Sequence, residues 1–307
     1  MKTKQQIRGS ILGALVGDAL GVPYQFEKPV YEKNVEWKGF GAHLQPMGTW
    51  SDDGALLLCA VESLGEKGHF DASHLATRFL LWQAKGHMAC GKKLFDIGNT
   101  TVEAFYRMRN GVPPLEAGLK NEFSCGNGSL MRILPHALFH PLNSTEERLI
   151  EIVQASSAIT HGHPLCQVSC ALYCILAHNL FVDKNKRRAY ENAVARLKAF
   201  YESKSEYESH LAELERLLSH KVNWGSGFVA DTFHTSLKAF FEADSFQDAL
   251  KKAVSFGKDT DTVASITGGL AGLFYGEDEI PSEWRTTLRL ELEHERVIER
   301  FLERVGL

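Results

Sequence analysis

The sequence has little that would direct it to a membrane, a nucleic acid or an oxidising compartment. Its first residues, Met-Lys-Thr-Lys-Gln-Gln-Ile-Arg, lack an apolar core and a small-residue cleavage site, and Asp18 interrupts the apolar run that follows. Neither a signal peptide nor a membrane span is expected, and the expected location is cytoplasmic. No charge sign dominates: 34 Lys and Arg against 38 Asp and Glu give a formal charge of −4. That balance leaves no electrostatic footprint for nucleic acid or an anionic membrane. Six cysteines in 307 residues do not make a disulfide framework. Cys166, Cys170 and Cys174 share a helical face at intervals of four, but thiolate metal sites favour tighter pairs, so buried packing is expected. Few runs alternate apolar and polar residues, and no Asn-Gly sits between β-branched runs. There is no repeat, low-complexity tract or acidic tail. With 44% hydrophobic and 23% charged residues, the reading is an all-α single domain spanning the chain.

What is present is organised around Phe256-Gly257-Lys258-Asp259-Thr260-Asp261-Thr262 and the run Val263 to Gly276. The run reads as a helix entered through Asp and Thr, with Gly268, Gly272 and Gly276 along one face. Asp259 and Asp261 then lie at the positive end of a helix dipole, where ionised oxygens are favoured. Such a density of hard oxygens suits Mg²⁺, Mn²⁺ or Ca²⁺, and it also suits a plain helix cap. A second stretch, Gly48-Thr49-Trp50-Ser51-Asp52-Asp53-Gly54, leads into the apolar helix Ala55 to Leu64 and repeats the theme. Adjacent like charges repel unless a cation or a helix end holds them. If the two helix starts converge, Ser51, Asp52, Asp53, Asp259, Asp261 and Thr262 supply six oxygens, enough for two octahedral ions with water.

Ile7 to Gly21 is an apolar helix with Gly9, Gly13, Gly17 and Gly21 spaced by four. Each interior glycine costs about 1 kcal/mol relative to alanine, so a stripe of them calls for a close helix contact. The matching spacing after Asp261 predicts that the two glycine faces pack together at the centre of the fold. Residues 22–47 form a loop rich in aromatic residues just before Ser51, either a lid or a packed Ω-type loop. Helices are expected near 71–84, 96–109, 145–159, 164–181, 228–241 and 245–254. Residues 185–220 are expected to form a solvated two-helix insertion. Ser124-Cys125-Gly126-Asn127-Gly128-Ser129-Leu130-Met131-Arg132 can present backbone N–H groups to phosphate, or simply turn into a buried helix. Thr160-His161-Gly162-His163-Pro164 offers a histidine pair for a metal, or backbone and capping hydrogen bonds.

In order, Gly17-Asp18-Ala19-Leu20-Gly21, Ser51-Asp52-Asp53, Asp96-Ile97-Gly98-Asn99-Thr100-Thr101, Gly126 to Arg132, Thr160 to Pro164 and Asp259-Thr260-Asp261-Thr262 resemble the ADP-ribosylglycohydrolases. The resemblance covers nearly the whole chain. It implies an all-α orthogonal bundle with a dinuclear site for two Mg²⁺ or Mn²⁺ at converging helix N-termini, and a cleft for ADP-ribose. Ser51, Asp52, Asp53, Asp259, Asp261 and Thr262 would be the ligands. Ser124, Cys125, Gly126, Asn127 and Gly128 would line the pyrophosphate and ribose region, with His161 near it and Phe228 stacking on adenine. Asp96 resembles a carboxylate with a proton-transfer role, and Asp52 and Asp53 would orient the attacking water.

The implied reaction is metal-dependent removal of ADP-ribose from a protein, most readily from arginine, with free ADP-ribose as product, a monomer as the working unit and no membrane or nucleic-acid partner. Alternatives are a catalytically silent ADP-ribose-binding relative, or a hydrolase of serine-linked, nucleic-acid-linked or free ADP-ribosyl compounds. Three departures from the family pattern bear on this. Gly54 replaces a hydroxyl residue, Lys258 replaces a glycine beside the ligands, and Gln25 stands where a flap glutamate is common. That glutamate is catalytic in the serine-specific branch, so Gln25 counts against serine linkage, and Glu27 is the carboxylate that would substitute.

Overall fold

Two helices from opposite ends of the chain lie antiparallel, backbone against backbone, at the centre of the molecule. A Cβ added at Gly13 would stand 2.3 Å from the carbonyl oxygen of Gly268, and one at Gly272 would stand 1.9 Å from that of Gly9. The glycine stripes therefore face each other as their spacing predicted, and the cost of interior glycines is met by an approach no other residue permits. In the computed structural model, residues 2–221 and 224–307 are described.

Among these residues there are fifteen α-helices. They are α1 (Lys4–Gly21), α2 (Asp52–Lys67), α3 (Ala72–Lys85), α4 (Asn99–Arg109), α5 (Pro114–Ala117), α6 (Leu134–Phe139), α7 (Glu146–Ala158) and α8 (Pro164–Leu180). The chain continues with α9 (Lys186–Glu202), α10 (Glu208–Ser219), α11 (Val229–Phe241), α12 (Phe246–Ser255), α13 (Thr260–Tyr275), α14 (Ser282–Thr287) and α15 (Leu292–Val305). Pairing between extended segments is limited, among the described residues, to three isolated bridges, Phe40 with Gln45, Leu119 with His161 and Gly126 with Phe228. The fold is all-α.

Local chemistry fixes the helix ends. Ser51 caps α2 and Gly68 closes it with φ 72°, Asp71 and Gly86 do the same for α3, and Ser245 caps α12. Helix α8 starts at His163, whose Nδ1 accepts from the Leu165 N–H at 3.1 Å. The core lies around α1, α13, α8 and α2, the first three buried on almost every side. Helices α9 and α10 fill the 185–220 segment. Ala189, Ala193, Leu197, Leu214 and Leu217 are buried there, beneath a charged outer face. All six cysteines are buried and free. Helix α4 begins three residues later than its sequence suggested, because Asp96 adopts a left-handed conformation, φ 58°, and Gly98 is the cap. Helix α15 was not anticipated, although Val297, Ile298, Phe301 and Leu302 recur at helical intervals and are buried.

Residues 22–47 contain three short 3-10 turns and lie against the turn before α13. The Phe26 N–H donates to the Lys258 carbonyl at 2.6 Å, the Lys258 N–H to Glu27 at 3.0 Å, and the Val30 N–H to Ser255 at 3.0 Å. The loop is thus both packed and a cover for what lies beneath it. No helix among the described residues is long and apolar enough to cross a membrane.

Candidate functional site

The start of α13 is seated on the end of α1. At Gly21 a Cβ would come within 2.4 Å of the Asp261 backbone, and Thr260 Oγ1 donates to the Gly21 carbonyl at 2.8 Å. The start of α2 is seated on the same helix through Asp18, which is fully buried. Its carboxylate accepts the Ser51 N–H at 2.9 and 3.0 Å and the Gly54 N–H at 2.8 Å. Gly54 has its own steric reason: a side chain there would strike the Trp50 ring at 2.5 Å and Leu15 at 2.7 Å.

Held this way, the two motifs converge. Thr262 Oγ1 donates to Asp53 Oδ2 at 3.2 Å and lies 3.4 Å from Asp259 Oδ1. Ser51 Oγ lies 3.2 Å from the same Asp53 oxygen, and Asp261 Oδ1 accepts the Thr262 N–H at 2.9 Å. Ser51, Asp52, Asp53, Asp261 and Thr262 are each at most 5% exposed. The remaining oxygens, Asp53 Oδ1 and Asp261 Oδ2, are buried without a hydrogen-bond partner.

Burial pushes every carboxyl of the cluster upward. Asp52 is raised by burial and then by the charge of Asp96, Asp53 by burial and by Asp18 and Asp52, and Asp261 by burial and by Asp259 and Asp53. Asp259 is raised by burial against the opposing hydrogen bond from Asn127. Asp18 is pushed up to about 7 by burial, despite its backbone donors. Orphaned, crowded, buried carboxylate oxygens are costly unless positive charge reaches them. The donor set, all hard oxygen, fits Mg²⁺ or Mn²⁺.

Asp52, Asp53, Asp259 and Thr262 of the cluster line a cavity of about 670 Å³ together with Gln25, Phe26 and Asp96 on one side and Gly126, Asn127, Gly128, Met131 and His161 on another, whereas Ser51 and Asp261 are not among its lining residues. Thr100, Thr101, Phe123, Ser226, Gly227 and Lys258 complete the wall. Asn127 ties the two sides together, donating to Asp259 Oδ2 at 2.6 Å and to Thr232 Oγ1 at 3.0 Å. Gly128 is small because a Cβ would meet His161 Cε1 at 2.9 Å and Thr101 Oγ1 at 3.2 Å.

His161 is neutral, its pKa held down at about 3 by burial and by the Arg132 charge. The buried Arg132 donates to Thr160 Oγ1 at 2.8 Å, and Thr160 Oγ1 lies 2.9 Å from His161 Nδ1. The other ring nitrogen, Nε2, stands beside Gly126 and Gly128 in the cavity wall. His163 has no comparable freedom. Its Nδ1 is used by the helix cap, so Nε2 carries the proton toward Glu122 at 3.2 Å. Glu122, Cys125 and His163 bring ligand atoms within 4.8 Å of one another, yet this tautomer makes the group a hydrogen-bonded cap instead of a ligand set.

Other anticipated site residues lie elsewhere. Ser124 and Cys125 are buried behind the cavity wall, where the Cys125 carbonyl accepts the Val229 N–H at 2.9 Å. The Phe228 ring packs on His220, centroids 5.6 Å apart, and the aromatic rings that do reach the cavity are Phe26 and Phe123. Glu27 points to solvent and contributes its backbone, whereas Gln25 lines the cavity and is 2% exposed. Ser226 and Gly227 reach the site without being singled out in the sequence, since tertiary packing delivers them, whereas Thr101 arrives at the end of the Asp96 motif.

The fold is thus an all-α bundle whose cavity joins a buried carboxylate cluster to the Gly126–Gly128 turn and His161. The chain belongs to the ADP-ribosylglycohydrolase family, whose model matches residues 1–306. The ADP-ribosyl-dinitrogen reductase glycohydrolase of Rhodospirillum rubrum is 30% identical over 317 residues, covering 97% of this chain and 96% of that protein. The ADP-ribosylarginine hydrolase of Pseudomonas putida is 28% identical over 280 residues, covering 90% of this chain and 72% of that protein. A solved structure described as an ADP-ribosylglycohydrolase-related protein complex matches with a TM-score of 0.78 at 29% identity, over 98% of both chains.

Proposed function

We propose that this chain hydrolyses the bond between ADP-ribose and an arginine side chain of a modified protein, using two divalent cations, Mg²⁺ or Mn²⁺. The observation that carries the cation assignment is the pair of buried, unpartnered oxygens, Asp53 Oδ1 and Asp261 Oδ2, within one carboxylate cluster. Ser51, Asp52, Asp53, Asp259, Asp261 and Thr262 would hold the ions. Bound there, they would neutralise the cluster and polarise the ribose hydroxyls and the attacking water.

The protein's own groups do the rest. His161 Nε2 and the Gly126 and Gly128 backbone face the side of the cavity suited to pyrophosphate, where the ring stays neutral at any ordinary pH. Asp52 and Asp53 orient water toward the anomeric carbon. Water adds there as the bond from carbon to the guanidine nitrogen breaks, and the basic guanidine must leave protonated. Asp96, partly exposed at the cavity and held by the Gln25 amide, would move that proton. The relative named as an ADP-ribosylarginine hydrolase supports the arginine linkage, and Gln25, an amide where a carboxylate would act as acid or base, counts against the serine linkage.

Release of free ADP-ribose from arginine-linked and serine-linked protein, with Mg²⁺ or Mn²⁺ and with EDTA, tests this reading. Metal-dependent release from arginine, abolished in Asp52→Ala and Asp261→Ala, is expected. Binding of ADP-ribose without release from either linkage would overturn it.

A further inference from the structure

We infer that His43 is a positioning residue for this reaction, acting through the side-chain amide of Gln25 to fix the carboxylate of Asp96 at the cavity. The inference rests on the function proposed above. Asp96 has no regular structure around it: residues 93–98 are irregular, and its own φ of 58° is uncommon for a residue with a side chain. Left to its loop, its carboxylate would sample several directions.

Gln25 removes that freedom. Its Nε2 donates to Asp96 Oδ2 and lies 3.3 Å from Asp259 Oδ1, while its Oε1 meets His43 Nε2; His43 Nε2 stands 3.9 Å from Asp96 Oδ2, beyond hydrogen-bond reach, so the amide is the hydrogen-bonded link between them. Chemistry sets the orientation of the amide, because exchanging its two ends would aim a carbonyl oxygen at two carboxylates. With Nε2 so placed, Oε1 can only accept, so His43 Nε2 must carry a proton. Both the neutral ring with Nε2–H and the imidazolium meet that demand.

His43 is itself held from three directions. Its ring lies between Phe26, at 5.8 Å, and Phe95, at 5.1 Å. Its carbonyl accepts from Gln45 Nε2 at 2.7 Å, and Gln45 is buried. The turn Gly41–His43 is closed by the bridge from Phe40 to Gln45, with Leu44 in a left-handed conformation, φ 52°. A chain of fixed groups thus runs from Gln45 through His43 and Gln25 to Asp96. A glutamine is what permits it, since one neutral amide donates to two carboxylates where a third carboxylate would add repulsion.

The test compares His43→Phe, which keeps the ring packing and loses the donor, with His43→Gln, which restores a terminal N–H. Each is also combined with Asp96→Asn, and kcat, KM, ADP-ribose affinity and melting temperature are measured. Loss of one oriented hydrogen bond is expected to lower kcat about tenfold in His43→Phe while KM and affinity stay within about twofold. His43→Gln recovers most of the rate, and His43→Phe costs nothing further in the Asp96→Asn background. Should the phenylalanine variant fail to fold, His43→Asn, too short to reach Gln25, makes the same comparison. An unchanged kcat, a loss confined to KM or melting, or an equal cost in the Asp96→Asn background overturns the inference. A wild-type protein that releases ADP-ribose from no linkage brings down the functional reading and this inference together. An active wild type that is indifferent to His43→Phe brings down the inference alone.

Discussion

Thr262 Oγ1 donates to Asp53 Oδ2 at 3.2 Å, joining helix starts 209 positions apart in the chain. The bond lies inside a cluster in which Asp53 Oδ1 and Asp261 Oδ2 have no donor, so negative charge accumulates there faster than the protein can compensate it. Replacing Asp53 or Asp261 by asparagine removes charge with little change of shape. Each substitution is expected to stabilise the metal-free fold, because it removes a buried charge from among like charges. Each should also weaken the thermal stabilisation that Mn²⁺ or Mg²⁺ confers on the wild type. Melting curves in EDTA and in each metal decide this, and destabilisation of the metal-free protein by both asparagines would count against a crowded anionic site.

The pH dependence of that metal effect has a definite sign. Asp52, Asp53, Asp259 and Asp261 all have folded pKa values above their ordinary 3.8. Above pH 4 the folded state therefore holds more protons than the unfolded one, and these groups make the metal-free fold less stable as pH rises toward their folded values. His136 and His161, both held at about 3 by burial and Arg132, act oppositely and lower stability as pH falls below their ordinary 6.5. Subtracting metal-free from metal-loaded stability cancels the histidines. Cations must displace the carboxyl protons, so the difference in melting temperature is expected to grow from pH 5 to pH 8. A flat difference would show that these carboxyls are not the ligands.

Asp18 acts at one remove, by clamping the Ser51 and Gly54 N–H groups. Asn at this position keeps one acceptor and turns an NH₂ toward a donor. Asp18→Asn is expected to weaken metal affinity about tenfold, in line with loss of a residue that orients ligands, a change that isothermal titration would read directly. Retention of full affinity would mean that the α2 cap holds without the clamp.

The glycine contact predicts a steric penalty. Gly272→Ala places a methyl 1.9 Å from the Gly9 carbonyl oxygen, whereas Gly98→Ala meets nothing closer than 4.0 Å. The first is expected to destabilise by about 1–3 kcal/mol through overpacking, and the second to stay within about 0.5 kcal/mol. Urea midpoints of the two variants would separate them. Equal midpoints would contradict the backbone contact between α1 and α13.

The glycine period and the paired Ser/Asp and Asp/Thr starts were legible because spacing alone determines what shares a helix face or a cap. Their convergence could be anticipated from the matching glycine stripes. The Gln25, His43 and Asp96 alignment was not legible, since two loops with no periodicity meet only through tertiary packing and Asp96 takes a backbone conformation its residue type does not signal. Phe228 was linked to adenine by the family resemblance alone; its ring packs on His220, beside the bridge from Gly126 to Phe228, and is not among the residues lining the cavity. His163 shows the converse: a ring that looks like a ligand in sequence is committed to the Leu165 N–H.

The pairing of residues 9–21 with residues 261–276 also has a consequence in time. During synthesis, α1 emerges early with a face that only the last quarter of the chain can cover. Asp52 and Asp53 are made roughly two hundred residues before Asp259 and Asp261, so no nascent fragment can assemble the paired helix starts. Loop closure over that separation makes this a late and slow contact. A ribosome-bound chain stalled before residue 260 should therefore carry an exposed glycine face and no activity.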